Sequence, residues 1–170
     1  KRARGARIVQ PPKKCPVCKQ PLHRFADEVA SRCINQGCPA IVLQSLTQLG
    51  SRKAMDIEGL GWQTVQSLLD ARHVTDYASL YELTAEQVAA LDRKGEKSAE
   101  KLIEQIEKSR HNDLSRFIFA LGIRFVGERA AKVLAEAMQS IDALMDATVE
   151  QLVEVPEIGP KLAESISFYF

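Results

Sequence analysis

The fold class this sequence predicts is mainly α-helical, in two unequal parts, and three observations point to it. All four cysteines fall within residues 15–38, which marks a small module off from the rest. After residue 40, leucine, alanine, isoleucine and glutamate dominate and β-branched runs are scarce; with aromatics at only 6% of the chain, no sandwich or barrel signal is present. Over the same stretch Gly61, Gly95, Gly127 and Gly159 recur at intervals of 34, 32 and 32 residues, a period that signals repeat architecture. A chain of 170 residues with 45% hydrophobic content can build one small domain and one larger one.

The small module comes first. Cys15 and Cys18 are two residues apart, Cys33 and Cys38 four apart, and fourteen residues separate the pairs. A close pair can bend around one ion, and a second pair about fifteen residues on closes a tetrahedral thiolate site through a short hairpin. Pro16, Gly37 and Pro39 sit beside the ligands, as tight turns around a metal require. Two disulfides are the competing reading; they suit a secreted domain, yet no secretory signal is visible and the rest of the chain has no cysteine. A redox role for Cys15-Pro16-Val17-Cys18 lacks the strand and helix context such a motif needs. Four thiolates leave no open position for water, so zinc held by Cys15, Cys18, Cys33 and Cys38 is expected to be structural. His23, between the pairs, is expected at the surface or behind the ligands. With so little core of its own, the module should fold only with its metal.

Ile41, Val42, Leu43, Leu46 and Leu49 then follow helical spacing up to Gly50, predicting a helix that joins the module to the repeats. Four residues before each recurring glycine stand Ile57, Leu91, Ile123 and Val155; seven after it stand Leu68, Leu102, Leu134 and Ile166. The pattern is apolar anchor, tight turn, glycine, helix. Two residues after the glycine come Gln63, Lys97, Arg129 and Lys161, so three of the four turns put a long cation on the first turn of a helix. Exposed N–H groups and the positive end of the helix dipole favour an anion there, and glycine lets a phosphate approach without a Cβ in the way. The device reads as a helix-hairpin-helix motif, repeated around residues 57–72, 91–108, 123–138 and 155–170. A bundle of ordinary glycine-started helices is the alternative. A second period of 64 residues relates Leu80 to Leu144, Thr84 to Thr148, Gln87 to Gln151, Val88 to Leu152, Leu91 to Val155 and Gly95 to Gly159, so the motifs form two pairs. Thr84 through Gln87 and Thr148 through Gln151 are capping boxes that start the short helix before the second hairpin of each pair. The stripe Phe117, Ile118, Leu121 and Ile123 reads as core.

Charge is uninformative until it is divided. Residues 1–14 carry six cations (Lys1, Arg2, Arg4, Arg7, Lys13, Lys14) and no acid; removing them from the net +1 leaves −5 for the remainder. Bulk charge therefore gives no case for nucleic acid, and any case must rest on where individual cations sit. No stretch approaches the length of an apolar membrane span, and neither secretion nor a membrane is expected. The basic start reads as the trailing end of an upstream domain, the chain lacks an initiating methionine, and it stops at Phe168-Tyr169-Phe170 inside an expected helix. A piece of a longer protein is expected.

The four-cysteine module, followed by Ser51-Arg52-Lys53-Ala54-Met55-Asp56-Ile57-Glu58-Gly59-Leu60-Gly61 and then by Ala120-Leu121-Gly122-Ile123-Arg124-Phe125-Val126-Gly127-Glu128, resembles the bacterial NAD-dependent DNA ligases over residues 12 to 170. The resemblance implies residues 1–11 as the end of an OB-fold domain, 12–40 as a zinc finger and 41–170 as a helix-hairpin-helix domain. It implies an enzyme that seals nicks in double-stranded DNA in replication and repair, in the bacterial cytoplasm at the nucleoid. An upstream adenylation domain would use NAD and Mg, a BRCT domain would follow, and this region would clamp DNA as a monomer. The Lys-x-Asp-Gly motif of adenylation is absent here, so no catalytic residue is assigned to this chain. A stand-alone zinc-containing adaptor for DNA junctions, without enzymatic activity, is the alternative; a third reading has the zinc module bind protein while the array merely scaffolds it.

The expected DNA contacts are Arg52, Lys53, Gly59 and Gly61 at the first turn, Arg93, Lys94, Gly95 and Lys97 at the second, Arg124, Gly127 and Arg129 at the third, and Gly159 and Lys161 at the fourth. Only Gly59-Leu60-Gly61 has both glycines of the motif; Arg93, Phe125 and Glu157 replace the first elsewhere. Cations at the second turn compensate, whereas Glu157 would repel a phosphate, so the first two turns rank highest and the fourth last. Contacts to phosphate position without specifying sequence. Trp62 reads as a packing residue or a wedge toward the groove.

Overall fold

The computed structural model describes residues 10–25, 29–92 and 94–170. Most of the basic tail, with Lys1, Arg2, Arg4 and Arg7, lies outside the described residues, and so does Arg93. The chain divides into two compact units, one ending at Val42 and one running from Leu43 to Phe170.

The described residues of the first unit have almost no regular structure before Pro39. Two isolated antiparallel bridges, Lys14 with Pro21 and His23 with Arg32, hold its turns together. His23 and Arg32 exchange both backbone hydrogen bonds, at 2.8 and 2.7 Å, which closes the hairpin between the cysteine pairs. The His23 ring packs edge-on against Phe25 with centroids 4.5 Å apart.

The division between units falls within helix α1 (Pro39–Gly50), which begins two residues earlier than the apolar spacing indicates. Proline is well tolerated at the first helical position, where its missing N–H has no intrahelical partner to lose. In the second unit follow α2 (Trp62–Asp70), α3 (Tyr77–Tyr81), α4 (Ala85–Ala89), α5 (Glu96–Ser109), α6 (Leu114–Ala120), α7 (Glu128–Met138), α8 (Ile141–Asp146), α9 (Val149–Glu154) and α10 (Pro160–Tyr169). No strand occurs among the described residues.

The 64-residue period governs these helices. Thr84 caps α4 and Thr148 caps α9, each in a reciprocal box with Gln87 or Gln151. Asp76 caps α3 and Ser140 caps α8, a further pair of sites 64 apart. Within each repeat the late helix packs back on the early hairpin. Lys101 on α5 pairs with Glu58, and Ser165 on α10 donates to the Arg124 carbonyl at 2.8 Å. This pairing serves burial: one hairpin has an apolar side that only its partner can cover.

All eight anchors flanking the turns are buried, as are Ile118, Leu121 and Ile123; Phe117 is half-buried. Leu134 and Ile166 have no exposed surface and lie with Ile118, Leu144, Leu152 and Ile158 in one core. Gly50 is held by contact, because a Cβ there would stand 2.7 Å from the Leu60 carbonyl oxygen where the first hairpin folds back on α1. Non-glycine residues in the left-handed region each cost on the order of 1–3 kcal/mol, and Phe125 and Glu157 are two of these.

Candidate metal centre and nucleic-acid interface

The four sulfurs of Cys15, Cys18, Cys33 and Cys38 lie within 4.8 Å of one another. Backbone turns bring them there. Cys15 N–H donates to the Gln20 carbonyl at 2.8 Å and Lys19 N–H to the Cys15 carbonyl at 3.0 Å, with Lys19 at a left-handed φ of 62°, so the chain curls around Cys18. On the other side Gly37 N–H donates to the Asn35 side chain and Cys38 N–H to the Asn35 carbonyl. The Cys38 carbonyl then accepts from Ile41 and Val42, placing the last cysteine at the head of α1.

The Sγ–Sγ separations are 3.9 Å for Cys15 with Cys38 and 3.5 Å for Cys18 with Cys33. Both are far beyond the ~2.05 Å of a disulfide, and both bracket the ~3.8 Å edge of a tetrahedron with 2.3 Å Zn–S bonds. Charge points the same way. A hydrogen bond from the Gln20 backbone N–H draws the Cys18 thiol down to about 6. The Asn35 backbone N–H favours the Cys33 thiolate too, but desolvation and the three neighbouring sulfurs push that group up to about 12. Four thiolates this close need a cation among them. The residues therefore fit zinc, which would take all four sulfurs and leave no coordination site for chemistry. His23 is not part of the cluster.

The four hairpins share one backbone design. The residue before the recurring glycine donates its N–H to the carbonyl three residues earlier: Leu60 to Ile57, Lys94 to Leu91, Val126 to Ile123 and Ile158 to Val155, at 3.0 to 3.2 Å. In the three turns whose tip is described, the third residue has positive φ: 90° at Gly59, 66° at Phe125 and 68° at Glu157. Positive φ at that place alone is the signature of a type II turn, and Pro156 occupies the second position, where such turns favour proline. Losing the first glycine therefore changes the side chain and its strain but leaves the path of the turn intact.

Gly61, Gly95, Gly127 and Gly159 are different. Each is the N-cap of the following helix, with φ between −97° and −82° in ordinary extended conformation. Among the described residues none has a heavy atom within 4 Å of where a Cβ would stand, and none receives a side-chain cap. Neither backbone conformation nor internal packing explains four glycines here. Serine, threonine or aspartate would cap these helices better, yet each would cover the N–H groups that glycine leaves open.

The cations are placed unequally. Gln63, Lys97, Arg129 and Lys161 all take the second position of their helices, at the rim of the open N–H groups. Lys97 is exposed, with no ion pair among the described residues. Lys161 is likewise exposed on the first turn of α10. Lys94 occupies the turn position taken elsewhere by buried Leu60, Val126 and Ile158, and it is itself half-buried. Lys53 is paired with Glu128 at 2.6 Å, and the Arg52 carbonyl accepts from Arg116 at 2.7 Å, so the approach to the first hairpin is tied to α6 and α7. Arg129 donates to Glu157 through Nε at 2.6 Å and through Nη2, joining the third and fourth hairpins. That double hydrogen bond holds the Glu157 carboxyl below the usual carboxylate range and the Arg129 guanidinium above its own. Glu58 is lowered in the same way by Lys101. The bidentate partner of Glu157 is Arg129, on the preceding hairpin. Trp62, at the first position of α2, is 55% exposed and so is not part of the core. Lys101 and Glu128 escaped the sequence reading because only tertiary pairing gives them a role.

Three family models match in order: the NAD-dependent DNA ligase C4 zinc finger domain over residues 14–40, a SAM-like helix-hairpin-helix tandem over 43–108, and a helix-hairpin-helix motif over 116–170. The DNA ligases of Bacillus cereus (strain AH820) and Bacillus anthracis are each 46% identical to this chain over all 170 residues, which is 25% of those proteins. The DNA ligase of Bacillus thuringiensis (strain Al Hakam) is 47% identical over 159 residues, 94% of this chain and 24% of that protein. The chain thus spans about a quarter of the length of these relatives. No helix among the described residues is long and apolar enough to cross a membrane. Four thiolates at zinc spacing, two hairpin pairs behind them, and identity running the full length of the chain identify it as a zinc-finger and helix-hairpin-helix region of the NAD-dependent DNA ligase family.

Proposed function

We propose that this region clamps the phosphate backbone of double-stranded DNA, without reading sequence, for an enzyme that seals nicks during replication and repair. One observation carries the reading: four helix-opening glycines stand in space that no described residue fills. Uncapped N–H groups at the positive end of a helix, with no Cβ over them, are complementary to a phosphate oxygen. Gly61, Gly95, Gly127 and Gly159 are the proposed grips. Gly59 gives the first turn its shape, and Arg52, Lys53, Arg93, Lys94, Lys97, Arg124, Arg129 and Lys161 supply positive charge around them. Lys97 is exposed and no carboxylate pairs with it among the described residues, while Lys53 and Arg129 share their charge with Glu128 and Glu157.

The chemistry belongs to other parts of the enzyme. An adenylation domain would take AMP from NAD with Mg, pass it to the 5′-phosphate at the nick, and let the 3′-hydroxyl displace it. An OB-fold domain and a BRCT domain would complete the protein, which would work in the cytoplasm at the nucleoid. Similarity to DNA ligases over the whole of this chain favours this over a free-standing junction adaptor.

Salt dependence tests the reading. Duplexes of unrelated sequence, nicked or intact, should bind alike, and the log of affinity should fall with log salt by about 0.9 per phosphate contacted. Binding that ignores salt, or that prefers one sequence, would defeat it. The chain alone should form no adenylate when given NAD.

A further inference from the structure

Phe125 combines two features that a structural role does not explain. Its φ of 66° lies where glycine is relaxed and a bulky side chain is not, and the matching residue of the first turn is Gly59. The residue is nevertheless 54% exposed, so burial does little to offset the strain. An exposed aromatic held in strained backbone is a reason to look for a ligand. The surroundings say which. The Arg124 guanidinium lies over the ring, 4.0 Å from its centroid, so a positive charge covers one face. The Arg124 carbonyl is fastened to α10 by Ser165, which fixes the base of the tip. Two residues further on, Gly127 opens α7 beside empty space.

We infer that Phe125 is an apolar DNA-contact residue, its ring packing against the deoxyribose next to the phosphate gripped at Gly127 while Arg124 faces the backbone charge. The inference rests on the proposed phosphate clamp and adds to it a component that salt does not screen. The sugar is the apolar surface lying between successive phosphates, and it is the same for every base. Packing against it keeps the clamp indifferent to sequence, whereas a wedge driven between base pairs would favour easily unstacked steps.

Phe125→Gly and Phe125→Leu separate this from other roles. Each variant, with zinc bound, is compared with the unaltered chain by thermal unfolding and by binding to an intact duplex over a salt series. Phe125→Gly relieves the backbone, so it should unfold at the same temperature or higher, yet bind roughly five- to tenfold more weakly at every salt concentration, the scale of partly burying one aromatic side chain. Its salt slope should be unchanged, and Phe125→Leu should recover part of the loss. Wild-type affinity in Phe125→Gly would overturn the inference while leaving the clamp intact. A slope shallower by about 0.9 would overturn it in favour of a phosphate contact made through Arg124. Absence of salt-dependent duplex binding by the unaltered chain would remove the clamp and this inference together.

Discussion

The two hairpin pairs share a backbone and differ in charge. In the first pair, the tip position and the helix position two after the glycine bring Gly59, Gln63 and Lys97 among the described residues. In the second pair the same positions bring Phe125, Arg129, Glu157 and Lys161, and Arg129 is already clasped by Glu157. Turn hydrogen bonds, helix-opening glycines and buried anchors are alike in both. Construction and function are thus separable here. The apolar period makes two similar platforms, and on the proposed reading the exposed residues they carry set how strongly each would attract a phosphate. The second pair spends a cation on joining its hairpins and presents an aromatic ring; the first keeps Lys97 open.

The largest expected effect leaves both pairs alone. Cys33→Ser should lose zinc by metal analysis, because a structural site of this kind contributes apparent binding energy of order 10 kcal/mol or more to its own folding. Circular dichroism should still report the helices of both pairs; retained zinc would contradict the four-thiolate site. Next in size, Leu102→Ala and Leu134→Ala remove buried anchors at matching places in the two pairs. Each should cost about 2–5 kcal/mol in chemical unfolding, and a small loss at one alone would break the likeness of the platforms. The smallest effect concerns charge. Glu157→Gln should free Arg129 and steepen the salt slope of duplex binding by up to about 0.9, with no counterpart in the first pair. The sign with pH follows from the lowered Glu157 carboxyl. The ion pair is intact above the ordinary carboxylate range and is lost as pH falls through the depressed value, so acid should mimic Glu157→Gln.

What could be read from the sequence follows from how local each feature is. The zinc ligands and the anchors were legible because metal geometry and helical burial fix residue type at fixed spacing. The Thr84 and Thr148 caps were legible for the same reason. The cap of α3 was not, since Asp76 is answered by Ser79 where the recognised pattern has glutamate or glutamine. Lys94 looked like a surface cation because charge says nothing about which side of a turn a residue occupies; its three equivalents are buried. The Arg129–Glu157 clasp joins residues 28 apart in sequence and depends on how the third and fourth hairpins pack, which no local pattern encodes.

The central claim is that the space over the helix-opening glycines is kept for a phosphate, and Gly61→Asp tests it most directly. Aspartate at an N-cap accepts from the first-turn N–H groups and complements the dipole, which should stabilise α2 by about 0.3–1 kcal/mol. The same carboxylate would occupy the site and repel DNA. Unfolding and duplex binding measured on one preparation should therefore move in opposite directions: a more stable protein that binds DNA at least tenfold more weakly. Unchanged affinity in a protein that has gained stability would contradict the claim.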